Sequence, residues 1–237
     1  MIPERPRARR TKDARTGVQL RRALMKSGRS VAKILSLIAV PVLAFIGVPL
    51  CEWLTVGPTG SLVFQEVKLL FALAFLPFGC ATLVTPFLMV RRDLRGRAMT
   101  TFLMSASCTV LLLVGIWVGQ GVRRAAFIQL ERRSKALVQA IHAHVRETGT
   151  PPHSLSDLVP RYIARVPATG MAAYPSYEFV SGTKAKEYSE NPWALFVPTT
   201  SGGLNWDIFL YLPRQNYPRE GYGGTLERIG DWAYVHE

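Results

Sequence analysis

The residues best suited to chemistry in this 237-residue chain are its four histidines and their polar neighbours. His142 and His144 are two positions apart in a helical pattern, so their side chains point about 200° apart and do not share a metal. The sequence favours a solvated helix face for both. His153, Ser154 and Asp157 supply the residue types of a hydrolase triad. They are crowded into one turn, where a Ser followed three residues later by Asp is typical of a helix start. We predict a helix cap there and keep hydrolysis as an alternative.

Other motifs for catalysis or metal binding are missing from the sequence. It contains no P-loop, GxGxxG, HExxH or CxxC pattern. The three cysteines all fall in apolar runs, which favours small buried side chains: Cys51, Cys80 and Cys108. Four carboxylates of the C-terminal half are candidates for calcium binding, but lack EF-hand spacing and favour surface charge: Asp207, Glu220, Glu227 and Asp231. We therefore assign no catalytic, cofactor-binding or metal-binding residue and expect no cofactor.

Three uncharged apolar stretches predict membrane spans at Ile34–Cys51, Leu69–Val90 and Thr100–Val122. Each is near the 20 residues that a helix needs to cross about 30 Å of hydrocarbon. Lipid cannot satisfy backbone hydrogen bonds, so these stretches must be helices. Residues 34–122 are therefore predicted to form a three-helix membrane domain. Because the spans contain no ionisable side chain, we expect anchoring rather than transport.

The distribution of basic residues predicts the orientation. Residues 1–33 hold eleven Lys and Arg against two acidic residues, a net charge of +9, and are predicted to be a disordered cytoplasmic segment. The loop at 91–99 carries four arginines, and the loop at 52–66 carries no Lys or Arg. The positive-inside rule places the N-terminus in the cytoplasm and the C-terminal domain outside it, in a bacterial inner membrane. Arg123 and Arg124 are exceptions to this rule. The segment Arg21–Lys26 resembles a twin-arginine export motif, but no cleavage pattern follows it.

Residues 123–237 read as a soluble domain with a net charge of only +2, which argues against a nucleic-acid partner. Its first part continues the third span as an amphipathic helix, which Gly149 ends. The apolar stripe consists of Ala126, Leu130, Ser134, Leu137, Ile141 and Val145. Aromatic and branched residues then predict strands at 177–180, 193–198, 206–213 and 231–236, with a hairpin at 201–203. The predicted fold class is α+β, with three transmembrane helices and a long amphipathic helix packed on a small antiparallel meander.

One stretch resembles a known family. A membrane helix followed by ALVQAIHAHVRETGTPPHSLSDLVPRYIARVP is similar to the pseudopilins of type II secretion and their type IV pilin relatives. The resemblance implies a helix that ends at a glycine, a Pro-Ser-Leu-like turn and a small antiparallel sheet on the helix. The prepilin cleavage motif is not present before the third span, where Arg95–Phe102 is followed by no glutamate. No functional residue is carried over from the family.

These observations predict a membrane-anchored protein that presents a pilin-like extracytoplasmic domain for protein interaction or assembly. No catalytic activity is evident. The alternatives are a membrane-tethered periplasmic hydrolase and a structural subunit of a larger membrane complex. The expected partners are the lipid bilayer and proteins of the membrane or periplasm.

Overall fold

The computed structural model describes residues 38–201 and 205–236. Within those ranges three helices are long and apolar enough to cross a membrane: α1 (Ile38–Val56), α2 (Val63–Leu88) and α3 (Arg95–Thr148). They cover the three predicted spans except for residues 34–37 and for Met89 and Val90, which lie in a turn after α2. Residues 34–37, the basic segment 1–33 and its twin-arginine-like motif lie outside the described part of the chain.

Helix α3 is continuous over 54 residues. At 1.5 Å per residue it is about 80 Å long, more than twice the thickness of a hydrocarbon core. It ends at Gly149, which has a left-handed φ of 75° and donates its backbone N–H to the Val145 carbonyl at 2.9 Å. The predicted division between residues 122 and 123 therefore falls inside one uninterrupted helix.

Two glycines let α1 approach α3 closely. A Cβ added at Gly115 would lie 2.5 Å from the Phe45 carbonyl oxygen, and one at Gly119 would lie 3.2 Å from Val48 Cγ1. The small-xxx-small spacing of the two glycines is thus used for helix packing. Ala44, Phe75 and Cys108 form the buried centre of the bundle, one residue from each helix.

Beyond α3 the chain forms an α+β domain with a six-stranded antiparallel sheet that curls into a half-barrel. The strand order is β1-β2-β3-β6-β5-β4. The elements after α3 are a 3₁₀ turn (Leu155–Leu158), β1 (Glu178–Ser181), α4 (Thr183–Lys186), β2 (Trp193–Pro198), β3 (Ile208–Tyr211), β4 (Glu220–Gly221), β5 (Gly224–Ile229) and β6 (Trp232–His236).

The α+β class is confirmed. The four predicted strands lie close to their predicted positions and are neighbours in the order β1-β2-β3-β6, as a meander requires. The sheet differs from the prediction in its curl and in the additional β4–β5 hairpin, which lies beyond β6. This hairpin was not predicted, because its sequence mixes glycines and charged residues and lacks a run of branched or aromatic side chains. The predicted hairpin residues 202–203 lie outside the described residues, although the strands that they connect do pair antiparallel.

The concave face of the sheet packs on the second half of α3. Of the predicted apolar stripe, Leu130, Ser134, Leu137 and Ile141 are buried, and Phe127 stacks on Phe209 with ring centroids 4.9 Å apart. Each large apolar side chain buried in this way contributes about 1.5–3 kcal/mol. The opposite sheet face is covered by tyrosines from the connecting segments: Tyr188, Tyr217 and Tyr222.

The connection between α1 and α2 also belongs to this domain. Val56 is part of the same apolar cluster as Phe127 and Met171. The backbone N–H of Ala172 donates to the Gly57 carbonyl at 3.3 Å. One end of the helix bundle and the domain that contains the sheet are therefore packed together as well as joined through α3.

Candidate functional site at the helix and sheet junction

Four charged side chains meet where the helices contact the sheet, and we call them the junction cluster. Glu52 comes from the last turns of α1, Lys68 from the second turn of α2, Arg123 from α3, and Asp207 from the residue before β3. Their side chains are 7, 20, 7 and 1% exposed, respectively. Such burial is unusual for charged groups unless they are paired.

Arg123 connects the two acidic members of the cluster. Its Nη1 lies 3.6 Å from Glu52 Oε2, and its Nη2 lies 3.8 Å from Asp207 Oδ2. Nη2 also donates a hydrogen bond to the carbonyl of Thr199, just after β2. The guanidinium therefore contacts α1 on one side and two strand ends on the other.

Lys68 makes a second bridge between the bundle and the sheet. Its Nζ donates to Glu52 Oε1 at 2.5 Å and to the Ser201 carbonyl at 3.1 Å. Ser201 lies in the segment between β2 and β3. Lys68 of α2 and Arg123 of α3 therefore contact residues of the connection between β2 and β3. Glu52 of α1 contacts both of these cations.

Aromatic rings enclose the arginine. The Arg123 Cζ atom lies 5.3 Å from the ring centre of Phe127, 5.8 Å from that of Tyr174 and 5.5 Å from that of Tyr234. These distances suit cation–π attraction, which strengthens when the cation is removed from water.

The two tyrosine hydroxyls act as hydrogen-bond donors in this cluster. Tyr234 donates to Asp207 Oδ2 at 2.6 Å, and Tyr174 donates to the Thr200 carbonyl at 2.5 Å. Burial raises the pKa of both phenols above the ordinary value, while the neighbouring Arg123 opposes the rise. Both hydroxyls therefore keep their protons at neutral pH and remain donors.

The cluster leaves some buried polar atoms unsatisfied. Among the described residues, Glu52 Oε2 and the Nε and Nη1 atoms of Arg123 have no hydrogen-bond partner. Burying an ion pair costs desolvation energy that the mutual attraction repays only in part, whereas removing one partner costs about 3–5 kcal/mol. The charged residues of the junction cluster therefore stabilise the contact between helices and sheet only as a complete set.

A cavity of about 670 Å³ lies beside the cluster. Its charged lining consists of the four cluster residues with Arg124 and Glu227, which form an ion pair with a separation of 2.9 Å. Its apolar lining comes from the three long helices and from the sheet: Val48, Leu69, Ala72, Ile116, Phe127, Ile229 and Tyr234. This volume falls in the range of small-molecule sites.

The hydrolase candidates are arranged as a helix cap. Asp157 Oδ2 accepts the backbone N–H groups of His153 and Ser154, each at 2.9 Å, and Asp157 Oδ1 accepts the Ser154 hydroxyl at 3.0 Å. The Ser154 hydroxyl thus donates to the carboxylate and not to a histidine base. These bonds lower the pKa of Asp157. The predicted cap is confirmed, and the geometry does not favour a nucleophile there.

The remaining candidates are placed apart from one another. His142 packs edge-on against Trp193, and its Nε2 lies 3.1 Å from the Tyr211 hydroxyl, so the expected solvated position is wrong for this residue. The reason is that the curled sheet reaches around the side of α3. Among the calcium candidates, Asp207 contacts Arg123 and Glu227 contacts Arg124. The described residues contain no group of three or more His, Cys, Asp or Glu that could hold a metal.

The junction cluster was not identified from the sequence, although a signal for it was present. Arg123 contradicts the positive-inside rule at the end of an apolar run, and such a cation calls for a carboxylate partner. Glu52 directly follows the first predicted span, and Lys68 directly precedes the second. Asp207 could not be added, because its contact with Arg123 depends on how the sheet folds back on α3.

Comparison with known proteins adds no relative to this description. No family model, curated protein or solved structure matches the chain.

Proposed function

We propose that the chain is a bacterial inner-membrane protein that holds a pilin-like α+β domain at the extracytoplasmic surface for protein interaction or assembly. The observation that carries this proposal is the shared helix α3, which is both a membrane-type helix and the helix on which the sheet packs. The junction cluster adds a second attachment. The domain is then a fixed platform close to the membrane rather than a module on a flexible tether.

The proposed orientation combines the charge bias with the contacts. The α1–α2 connection and the sheet pack together, so both lie on one side of the membrane. The arginine-rich segment 91–99, whose residues from Arg95 onward begin α3, lies at the other end of α2. The positive-inside rule then assigns this segment to the cytoplasm and the sheet to the opposite side of the membrane. Alkaline phosphatase fused after residue 237 is expected to be active; activity only of a cytoplasmic reporter at this position would refute the orientation.

The described sheet of the outer domain has two edge strands, β1 and the two-residue β4, and β1 is the longer of the two. Strand β1 pairs only with β2 in the described sheet, so its other edge has unpaired backbone groups. Such an edge can accept a strand from another protein. In this proposal the second half of α3 is amphipathic, and its apolar face is already covered by the sheet of the same chain. Recognition through the edge of β1 therefore fits the proposed role in interaction or assembly.

The proposal is tested by site-specific photocrosslinking in intact membranes. A crosslinker at Glu178, an exposed residue of β1, should capture a defined protein partner. Lys135, exposed on α3, provides a control position away from the β1 edge. No specific product at Glu178, with the protein folded and inserted, would contradict the proposal.

A structural subunit of a larger membrane complex is a second candidate, and α2 favours it. Only 6% of its most apolar window is buried within the chain, against 33% for α1 and 22% for α3. Crosslinkers at Leu83, which is 73% exposed on α2, would capture a membrane protein in this case. Labelling of lipid alone at Leu83 would argue against it.

A further inference from the structure

The cavity beside the junction cluster has an apolar wall and a charged wall. The apolar wall on the helices consists of Val48, Leu69, Ala72 and Ile116, and each of these residues belongs to a predicted membrane span. On the sheet side, Phe127, Ile229 and Tyr234 surround the charged groups. The charged wall begins at Glu52 and Lys68, directly beyond those spans. The lining therefore changes character at the depth where acyl chains give way to lipid headgroups.

The charges of the cavity wall balance. Three cations line it (Lys68, Arg123 and Arg124), and so do three carboxylates (Glu52, Asp207 and Glu227). A site for an anionic headgroup would carry a basic excess, as basic lipid-binding pockets do. A headgroup that has one charge of each sign suits a balanced wall better.

Two cations and a carboxylate of the wall remain accessible to the phosphate and the ammonium of such a headgroup. Lys68 is 20% exposed, and its ammonium uses two hydrogen bonds on Glu52 and Ser201, leaving its third proton available. The side chains of Arg124 and Glu227 are 59 and 38% exposed. A carboxylate accepts hydrogen bonds from a primary ammonium, whereas a quaternary ammonium is recognised by aromatic cages.

An exposed tryptophan beside the cavity also indicates the depth of the lipid headgroups. Trp206 is 75% exposed, and the residues on either side of it, Asn205 and Asp207, both line the cavity. Indole rings favour the interface between water and hydrocarbon. The segment before β3 therefore lies at the depth of the headgroups.

We propose that this cavity binds one phospholipid with a phosphoethanolamine headgroup. The phosphate faces Lys68 and Arg124, the ammonium faces Glu227, and the acyl chains follow the apolar wall between the three helices. The site adds a lipid ligand to the proposed function and does not depend on which side of the membrane the sheet occupies.

Native mass spectrometry of the full chain tests the proposal. Protein released from vesicles with equal amounts of phosphatidylethanolamine, phosphatidylcholine and phosphatidylglycerol should retain one lipid. We expect phosphatidylethanolamine to be enriched about tenfold over either competitor, the effect of one charged hydrogen bond. Preference for phosphatidylglycerol, equal retention of phosphatidylcholine, or no retained lipid would overturn the proposal. Equal retention of soluble glycerophosphoethanolamine at the same concentration would overturn the proposal, because it would show that the apolar wall does not bind acyl chains.

Two alanines of α2 provide a matched pair of variants. Ala72 lines the cavity, and Ala74 is exposed two residues further along and does not. Ala72→Phe should abolish retention, whereas Ala74→Phe should leave it unchanged; equal retention in both would contradict the site. If Ala72→Phe fails to fold, the double variant Arg124→Gln/Glu227→Gln replaces it. That variant should lose the preference for phosphatidylethanolamine, and an unchanged preference would overturn the proposal.

Discussion

Arg123 is the residue on which the junction depends most, because it contacts both Glu52 and Asp207. We predict that Arg123→Gln lowers stability by about 3–5 kcal/mol, since it removes the buried cation that lies between Glu52 and Asp207, although Glu52 keeps its ion pair with Lys68. At about 2–4 °C per kcal/mol for a chain of this size, this corresponds to a drop in Tm of roughly 6–20 °C. Thermal unfolding in a membrane-mimetic disc measures it.

The control for this variant is Arg132→Gln, an exposed arginine on the same helix. Its loss should change stability by no more than about 0.5 kcal/mol, as is usual for surface substitutions. Equal Tm values for the two variants would show that Arg123 does not stabilise the contact between the helices and the sheet.

Asp157 gives a pH dependence of known sign. Hydrogen bonds from Ser154, followed by the one from the His153 backbone, lower its pKa in the folded state. A depressed carboxyl pKa stabilises the fold above the unfolded value, near 3.9, and that stability is lost as pH falls through the folded pKa. Asp157→Asn should therefore be less stable than the native chain at pH 7, and the difference should shrink below about pH 4. A difference independent of pH would contradict the cap.

At the level of single residues, the sequence predicted local features well and distant contacts poorly. The Ser154–Asp157 cap and the Gly149 helix end were predictable, because their partners are three or four positions away. The contact between Arg123 and Asp207 spans more than eighty residues of chain and exists only after the sheet has curled onto α3. Charge alone indicated that Arg123 was exceptional, but not which residues would surround it.

The contact between helices α1 and α3 depends on Gly115. Its missing Cβ leaves room for the Phe45 carbonyl oxygen, which a Cβ would approach to 2.5 Å. We predict that Gly115→Ala destabilises the protein by about 1–3 kcal/mol, because backbone atoms must move apart. Thermal unfolding of the variant in membrane-mimetic discs gives the shift.

Substitution of Gly121 by alanine, on the same helix, is expected to have the opposite effect on stability. Nothing lies within 4 Å of a Cβ placed there, and alanine favours a helix over glycine by about 1 kcal/mol. Gly121→Ala should therefore be neutral or stabilising. Destabilisation by both substitutions to the same extent would argue against close packing at Gly115.

Helices and central strands were predictable because their patterns are strong. The three apolar runs and the helical continuation beyond Val122 appear directly in the sequence. The place of β6 beside β3 agrees with the predicted meander, whereas the β4–β5 hairpin and the curl of the sheet were not predictable. The hairpin lacks strand-like composition, and the periodicity of a strand does not encode the curvature of its sheet.

At the scale of the whole molecule, two attachments hold the sheet on the bundle of three long apolar helices. One is covalent and continuous, through α3, and the other is the junction cluster together with the α1–α2 connection. A single helix could bend or twist relative to its neighbours, whereas contacts to all three helices restrict such movement. A fixed orientation of the domain follows from these contacts and is the central claim about the molecule.

Electron paramagnetic resonance distances between two spin labels test this claim most directly. Labels at Thr59→Cys in the α1–α2 connection and Glu178→Cys on β1 report across the junction, both positions being exposed. The exposed Cys80 is replaced by serine, and Cys51 and Cys108 are buried. We predict one narrow distance distribution in lipid discs, which broadens in the Arg123→Gln variant. A broad distance distribution in the native sequence, unchanged by Arg123→Gln, would contradict a domain that is fixed to the helix bundle.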